Sequence, residues 1–381
     1  MKILHIGPDD PFVQFLGGKF ESVSRGANIF ITISSTRTVK YSVPGARHVI
    51  VRPKSFDLLR IFFSLATNVD AIVAHSLTHE AAFLFSALKR PVKIWSGWGF
   101  DYYGSENANE TTLLDADTRD YVQQIQGNIC KRTLRNILQK VNNIIWSAAV
   151  KSIDYFSAPI PTDFSIMRKS FPNFSGKYLQ LNYGDMETMF AAGVEGNQDL
   201  NVLVGNSSSI TNNHEGVFAR LARCDLRGRR VIVPLSYGDI AYREFVVRRG
   251  IYYFGDAFCP LVDFLPLDEY NRIISSCNVV VMGHLRQQAI ANIGTAIYCG
   301  ANLYLNAKCP TYRFLRGRGI DVFDLEQLTG VLPLKRKAVN TIALDRKALE
   351  KFWGLNVVND NVMECIRQIE LHHNPHVETR R

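Results

Sequence analysis

The chain has 381 residues, 46% of them hydrophobic and 21% charged, which excludes a disordered polymer and suggests two cored domains, since single cores rarely grow past about 250 residues. Lys and Arg exceed Asp and Glu by 44 to 35, a formal net charge of +9 that favours anionic partners without choosing among nucleic acid, phosphorylated metabolites and acidic lipid. Seven cysteines with no CxxC pair argue for reduced thiols and against a disulfide framework or a zinc site.

In chain order, the start runs straight into a β pattern over 3–6 and lacks the apolar region and small-residue cleavage site of a secretory signal, so the chain is expected to stay inside the cell. Further strands are predicted over 29–33, 49–51, 71–74, 92–95, 155–158 and 178–181, with helical patterns between them. The second half repeats that order, with strands over 201–204, 230–234, 251–254, 279–282, 302–305 and 321–323. Alternation of this kind means parallel sheets covered by helices on both faces, hence an α/β chain of two doubly wound, Rossmann-like domains. The small, polar, aperiodic stretch 191–199 reads as the linker. The expected division is a first domain over 1–190, a second over 200–345, and helices and tail over 346–381 returning to the first. The longest uncharged run, 287–307, holds three Asn, two Gln and two Gly, too polar for a transmembrane helix.

Several loops carry chemistry. Gly205, Asn206, Ser207, Ser208 and Ser209 follow a strand, and their small side chains let amides and hydroxyls approach phosphate oxygens; an ordinary polar turn has the same composition. A second strand end carries Tyr237 and Gly238. A third leads to Arg286, Gln287 and Gln288 and a helix containing Asn292, where Arg can neutralise a diphosphate and the amides can bind sugar hydroxyls. In the first half, Asp101 follows Trp98, Gly99 and Phe100 and is either a general base or the cap of the next segment. His75 ends a strand, placed for proton transfer or for a structural role. His214 and Glu215 read as a helix start, not a catalytic pair. No HExxH, DxD-type pair or Cys cluster is present, so no metal and no cofactor is expected.

The stretch 131–146 is amphipathic, with Lys131, Arg132, Arg135 and Lys140 bordering an apolar face. It suits an anionic membrane surface or packing on its own sheet, as does the segment 52–63.

Taken in order, the segments Leu203 to Ser207, Asn213 to Glu215, Val231 to Pro234 with Tyr237 and Gly238, Leu267 to Tyr270, and Arg286 to Gln288 resemble the TDP-Fuc4NAc:lipid II Fuc4NAc transferase family, glycosyltransferase family 56. Trp98 to Tyr103 is similar to that family's Trp-Gly-x-Asp-Leu-Tyr segment. The resemblance implies a GT-B fold, two Rossmann-like domains facing a cleft with a C-terminal helix crossing back. It implies a metal-independent glycosyltransferase that moves an amino-deoxy sugar from a dTDP-sugar to a polyprenyl-diphosphate-linked acceptor. The catalytic candidates are then Asp101 and His75, and the donor-binding candidates Gly205, Asn206, Ser207, Ser208, Tyr237, Arg286, Gln287, Gln288 and Asn292. GT-B enzymes commonly place a Glu near the last of these, where this chain has Gln287 and Gln288. The expected location is peripheral, on the cytoplasmic face of the bacterial inner membrane. Two alternatives stay open, an epimerase with two Rossmann-like domains and a non-catalytic nucleotide-binding protein. Nucleic acid is not expected as a partner, because no binding motif accompanies the basic charge.

Overall fold

The computed structural model describes residues 1–52, 64, 68–103, 110–125, 145–194 and 199–374. It divides into two compact units, the first formed by Met1–Ala108, Ile129–Gly184 and Asn356–Arg381, the second by Asn109–Asn128 and Asp185–Leu355.

Unit 1 is built on a seven-stranded, wholly parallel sheet of β1 (Ile3–Pro8), β2 (Asn28–Ile33), β3 (Arg47–Val51), β4 (Ala71–His75), β5 (Val92–Ser96), β6 (Tyr155–Ser157) and β7 (Lys177–Tyr178), in the order β3-β2-β1-β4-β5-β6-β7. The central strands read as continuous apolar runs because both faces are covered: every residue of β4 and β5 is buried. Ile3, Ala71, Val73, Val92 and Ile94 pack on Leu16 and Phe20 of the helix Pro11–Val23, whose start is fixed by Asp10 accepting from the Phe12 amide and by Pro11 in the first turn. The same core takes Val362, Cys365, Ile366 and Ile369 from the helix Leu355–His373, a stripe at helical spacing.

Unit 2 carries a six-stranded parallel sheet of β8 (Asn201–Val204), β9 (Val231–Pro234), β10 (Phe258–Leu261), β11 (Cys277–Met282), β12 (Asn302–Leu305) and β13 (Phe323–Asp324), in the order β10-β9-β8-β11-β12-β13. One predicted strand is wrong. Residues 251–254 form the last turn of the helix Ile240–Phe254, started by Asp239, whose side chain accepts from the Tyr242 amide. That helix ends at Gly255, at φ 51, and the strand follows as β10. Ile251, Tyr252, Tyr253 and Phe254 have strong β propensity, but Tyr242, Val246, Gly250 and Phe254 bury a helical stripe, and packing overrides propensity.

The two sheets share one topological property. In unit 1 the strand order turns between β1 and β4, and in unit 2 between β8 and β11. Loops at the carboxyl ends of such neighbouring strands part in opposite directions and leave a crevice, where open α/β sheets bind ligands.

Candidate functional site

At the unit 2 switch point, β8 ends in Gly205, at φ 68, where a Cβ would lie 2.8 Å from Nε2 of His214, so only glycine fits the turn. The following loop is held by its own side chains. Asn212 donates from Nδ2 to the Ser207 carbonyl (3.0 Å) and to the Ser209 carbonyl (3.2 Å), while its Oδ1 accepts from the Asn206 amide at 3.3 Å. Ser208 donates from both its amide and its hydroxyl to the Tyr237 carbonyl, each at 2.8 Å. Asn213, in the left-handed region at φ 54, donates to the Gly283 carbonyl at 3.0 Å and so joins the ends of β8 and β11.

The loop after β11 is stitched to the same place. Gln288 donates to Asn206 Oδ1 at 2.9 Å and accepts from the Thr211 hydroxyl at 2.7 Å, and Asn206 in turn donates to the Tyr237 hydroxyl at 2.7 Å. The structure thus brings Asn206, Tyr237 and Gln288 into one chain of hydrogen bonds, beside Ser207 and Ser208, with Arg286 and Gln287 on the same loop as Gln288. Asn206, Ser207, Ser208, Gln287 and Gln288 are buried and Tyr237 is exposed. Gln288 spends both ends of its amide on the loops, so it shapes the rim. Asn292, in the helix Ile290–Tyr298, donates to the Tyr270 hydroxyl at 2.7 Å and stands apart from that chain.

Electrostatically the rim suits an anion. The loops 205–213 and 283–289 contain Arg286 and no carboxylate. Arg286 is half-buried, with Nη1 donating to the Gln287 carbonyl at 3.0 Å. The helix Ile290–Tyr298 begins directly after Ala289, which is held at φ 60, and its first amides lie at the positive end of the helix dipole. Burial holds His214 and His284 neutral, pushing each pKa down to about 3, with Arg286 adding to the effect at His284. His214 Nε2, His284 Nε2 and Gln287 Oε1 are buried without a hydrogen-bond partner. Such orphaned polar atoms are costly in an ordinary core, and three together mark this rim as unusual.

At the unit 1 switch point, β4 ends in His75, fully buried, and Ser76 follows at φ 73. Four described residues other than glycine have positive φ: Ser76, Asn213, Arg227 and Ala289. All but Arg227 lie in the switch-point loops, and strain held by the surrounding structure clusters at functional sites. Burial lowers the His75 pKa well below the usual imidazole value, and His5 beside it lowers it further.

Asp101 does not cap the segment after it: it is the second residue of the short helix Phe100–Tyr103, and its carboxylate is held by groups that precede it. One carboxylate oxygen accepts from the Trp98 amide (2.8 Å), the other from the Leu77 amide (2.9 Å) and the Trp95 indole (2.7 Å). Burial raises its pKa and these donors oppose the rise. The next two residues anchor the turn elsewhere, Tyr102 and Tyr103 donating to Asp163 at 2.6 Å and 2.9 Å. Asp101→Asn sets an amide NH₂ against at least one of the three donors. It is expected to destabilise unit 1 by about 1–3 kcal/mol. A thermal melt checks this, and a variant with wild-type melting and lost turnover would return Asp101 to the role of base.

Glu215 pairs with Arg249 at 2.5 Å and 2.8 Å, and His214 Nδ1 lies 3.3 Å from the Tyr242 hydroxyl, so both serve the start of the helix His214–Leu221. Lys131, Arg132, Arg135 and Lys140 lie outside the described residues, as does all of the segment 52–63 after its first residue. Among the described residues, no three His, Cys, Asp or Glu are grouped to hold a metal ion. The residues that reading the sequence missed are Thr211, Asn212, His284 and, in unit 1, His5. Their only signal was polarity beside an apolar strand, which most surface loops share.

Comparison with known proteins places this geometry. A family model described as 4-alpha-L-fucosyltransferase, glycosyl transferase group 56, matches residues 133–362. Among solved structures, sucrose-phosphate synthase from Thermosynechococcus elongatus is similar over 98% of this chain and 100% of its own, at 12% identity and TM-score 0.65. Anabaena HepE in complex with UDP and glucose is similar over 97% of this chain and 100% of its own, at 12% identity and TM-score 0.62. The trehalose 6-phosphate synthase of Burkholderia multivorans matches over 97% and 94%, at 9% identity and TM-score 0.56. These likenesses show the GT-B fold.

Proposed function

The chain belongs to the 4-alpha-L-fucosyltransferase family, glycosyl transferase group 56, and from that premise we propose that it moves an amino-deoxy sugar, Fuc4NAc, from a dTDP-linked donor to a polyprenyl-diphosphate-linked saccharide in surface glycan synthesis. It is a glycosyltransferase of GT-B fold. The observation that carries the finer reading is the anion-ready rim of unit 2. As the acceptor hydroxyl oxygen bonds to the anomeric carbon, the bond from that carbon to the diphosphate breaks and negative charge grows on the leaving group. In this reading Arg286, the loop after Gly205 and the first amides of the helix Ile290–Tyr298 stabilise that charge, the largest effect available without a metal. HepE, of related fold, binds UDP-glucose, which supports a nucleotide diphosphate as the donor's handle. Unit 1 supplies the acceptor contacts. Of its two candidates for taking the hydroxyl proton, Asp101 has both oxygens occupied and His75 is fully buried at the switch point, so neither meets an acceptor hydroxyl directly.

The test is mass-spectrometric detection of product from a panel of dTDP- and UDP-sugars with a synthetic polyprenyl-diphosphate disaccharide. The expected result is a glycosylated acceptor from a dTDP-amino-deoxy sugar, with full activity in excess EDTA. A Mg²⁺ or Mn²⁺ requirement overturns metal independence. A donor converted without any acceptor would identify an epimerase, and a donor bound unchanged a non-catalytic protein.

Because a polyprenyl acceptor stays in the bilayer, we place the protein peripherally on the cytoplasmic face of the inner membrane. No helix among the described residues is long and apolar enough to cross a membrane. Basic residues near an anionic surface contribute about 1 kcal/mol each, so Lys131, Arg132, Arg135 and Lys140 together favour attachment by roughly 4 kcal/mol. Sedimentation with liposomes is expected to need anionic lipid and to weaken with salt. Changing all four to Glu is expected to release the protein; a variant that still sediments moves the contact to another surface.

A further inference from the structure

A line of buried polar side chains runs through unit 1 from Glu21 to Tyr183, and its hydrogen-bond directions are set from one end. Asn28 Nδ2 lies 2.8 Å from Glu21 Oε2 and 2.9 Å from the Ser24 carbonyl. Both neighbours only accept, so the amide nitrogen of Asn28 faces them and its Oδ1 faces His5 Nε2, 3.1 Å away. An oxygen at that point requires His5 to carry its proton on Nε2. His5 is fully buried and stacked on Phe30 at 4.5 Å, and burial pushes its pKa down to about 4, so it is neutral and Nδ1 bears a lone pair. That lone pair lies 3.1 Å from His75 Nε2, which must donate to it. His75 is therefore also the Nε2–H tautomer, with its own lone pair on Nδ1.

The line ends at the switch-point rim. The Tyr183 hydroxyl, approached by the Trp98 indole as a donor, lies 3.4 Å from His75 Nδ1 and 3.1 Å from the Ser96 carbonyl. His75 Nδ1 and the Ser96 carbonyl both accept, so the Tyr183 hydrogen is held inward whichever of them takes it. Toward a ligand, Tyr183 offers a ring face and the oxygen lone pair that the Trp98 indole leaves open, and no donor. Its ring, partly exposed, meets Trp98 at 5.2 Å and Phe12 at 6.4 Å, and Phe12 and Trp98 meet at 6.0 Å. Phe12 follows β1 and Trp98 follows β5, which puts the three rings at the carboxyl edge of the sheet. Ring faces beside a hydrogen-bond acceptor suit a pyranose, which has apolar C–H faces and hydroxyl hydrogens to donate.

We propose that Glu21, Asn28, His5 and His75 are positioning residues that fix Tyr183 as a hydrogen-bond acceptor in a sugar-binding rim of unit 1, where the acceptor saccharide is recognised. This rests on the transferase reading above. His75, fully buried, reaches a ligand only through Tyr183.

The full-length protein labelled with ¹⁵N-histidine tests the chain without any substrate. Two-bond ¹⁵N–¹H spectra at pH 7.5 are expected to show Nε2–H for both His5 and His75, and Nδ1–H at either overturns the proposal. In the transfer assay with the synthetic polyprenyl-diphosphate disaccharide, Tyr183→Phe keeps the ring and removes the oxygen. It is expected to raise the acceptor KM about tenfold, the loss of one well-placed hydrogen bond, with the donor KM unchanged. An unchanged acceptor KM overturns it. Asn28→Leu is expected to let the Nδ1–H form of His75 appear and to raise the acceptor KM likewise; retention of Nε2–H alone counts against the lock. If Asn28→Leu does not fold, the wild-type spectrum and Tyr183→Phe decide. If no sugar donor gives product, the transferase reading fails while the spectra still decide the histidine chain.

Discussion

Arg286→Ala is expected to lower kcat/KM for the nucleotide-sugar donor by about tenfold to a thousandfold, or roughly 1.4–4 kcal/mol of lost charge stabilisation. Arg286 is the cation of a rim whose two switch-point loops contain no carboxylate, and it stands three residues before Ala289 and the helix Ile290–Tyr298. Its guanidinium is half-buried over its own loop, donating to the Gln287 carbonyl. Loss of charge that acts only on the departing diphosphate lowers kcat, whereas loss of charge that acts equally on the bound donor raises KM. Arg286→Lys separates charge from shape, because a lysine keeps the point charge and loses the planar fork that matches two phosphate oxygens. Recovery by Lys of only part of the lost rate is the expected result. Unchanged kcat/KM in a folded Arg286→Ala variant would remove Arg286 from the site.

Much of this was legible in the sequence for a local reason. Strands β4, β8 and β11 announce themselves as apolar runs because they are covered on both faces, and Gly205, Tyr237 and Arg286 follow the ends of such runs. What could not be read is what neighbouring strands do to each other. The turn in strand order between β8 and β11 is a property of the sheet, and it makes one crevice from loops some eighty positions apart. The pairing of Gln288 with Asn206 depends on that order, so Gln288 looked like a free ligand group when it braces the rim. Asp101 shows the same limit: the Trp98 amide is a local partner, but the Leu77 amide comes from the end of a different strand, and it is the pair of them with the Trp95 indole that fills the carboxylate. His5 had only its polarity as a signal, one polar residue inside an apolar strand. The misread segment 251–254 failed because aromatic and β-branched residues in the last turn of a helix look like a strand until the packing of the preceding turns is known.

Acid is expected to destabilise both units between pH 6.5 and about 4, and the cause is the set of buried imidazoles. Burial lowers the pKa of His5 to about 4 and those of His214 and His284 to about 3, and takes that of His75 well below its ordinary value. Unfolded, each titrates near 6.5. In that window the unfolded chain binds more protons than the folded one, so stability is fully present above about pH 6.5 and is lost as pH falls toward the folded-state values. At pH 5.5 each such histidine costs about 1.4 kcal/mol relative to neutral pH, or roughly 3 kcal/mol for the pair in each unit. For a domain of this size that is a fall in Tm of roughly 6–12 °C. Asp10, Asp101 and Asp115 act in the opposite sense at lower pH, since burial raises their pKa values and the folded state then holds their protons more tightly. They soften the decline only near the carboxylate range. Differential scanning calorimetry at pH 7.5 and 5.5 reads the result directly. A melting temperature that does not move would mean that water or a counter-charge reaches these imidazoles in solution, and it would remove the neutral, lone-pair-bearing histidines on which the ordering of the unit 1 rim depends.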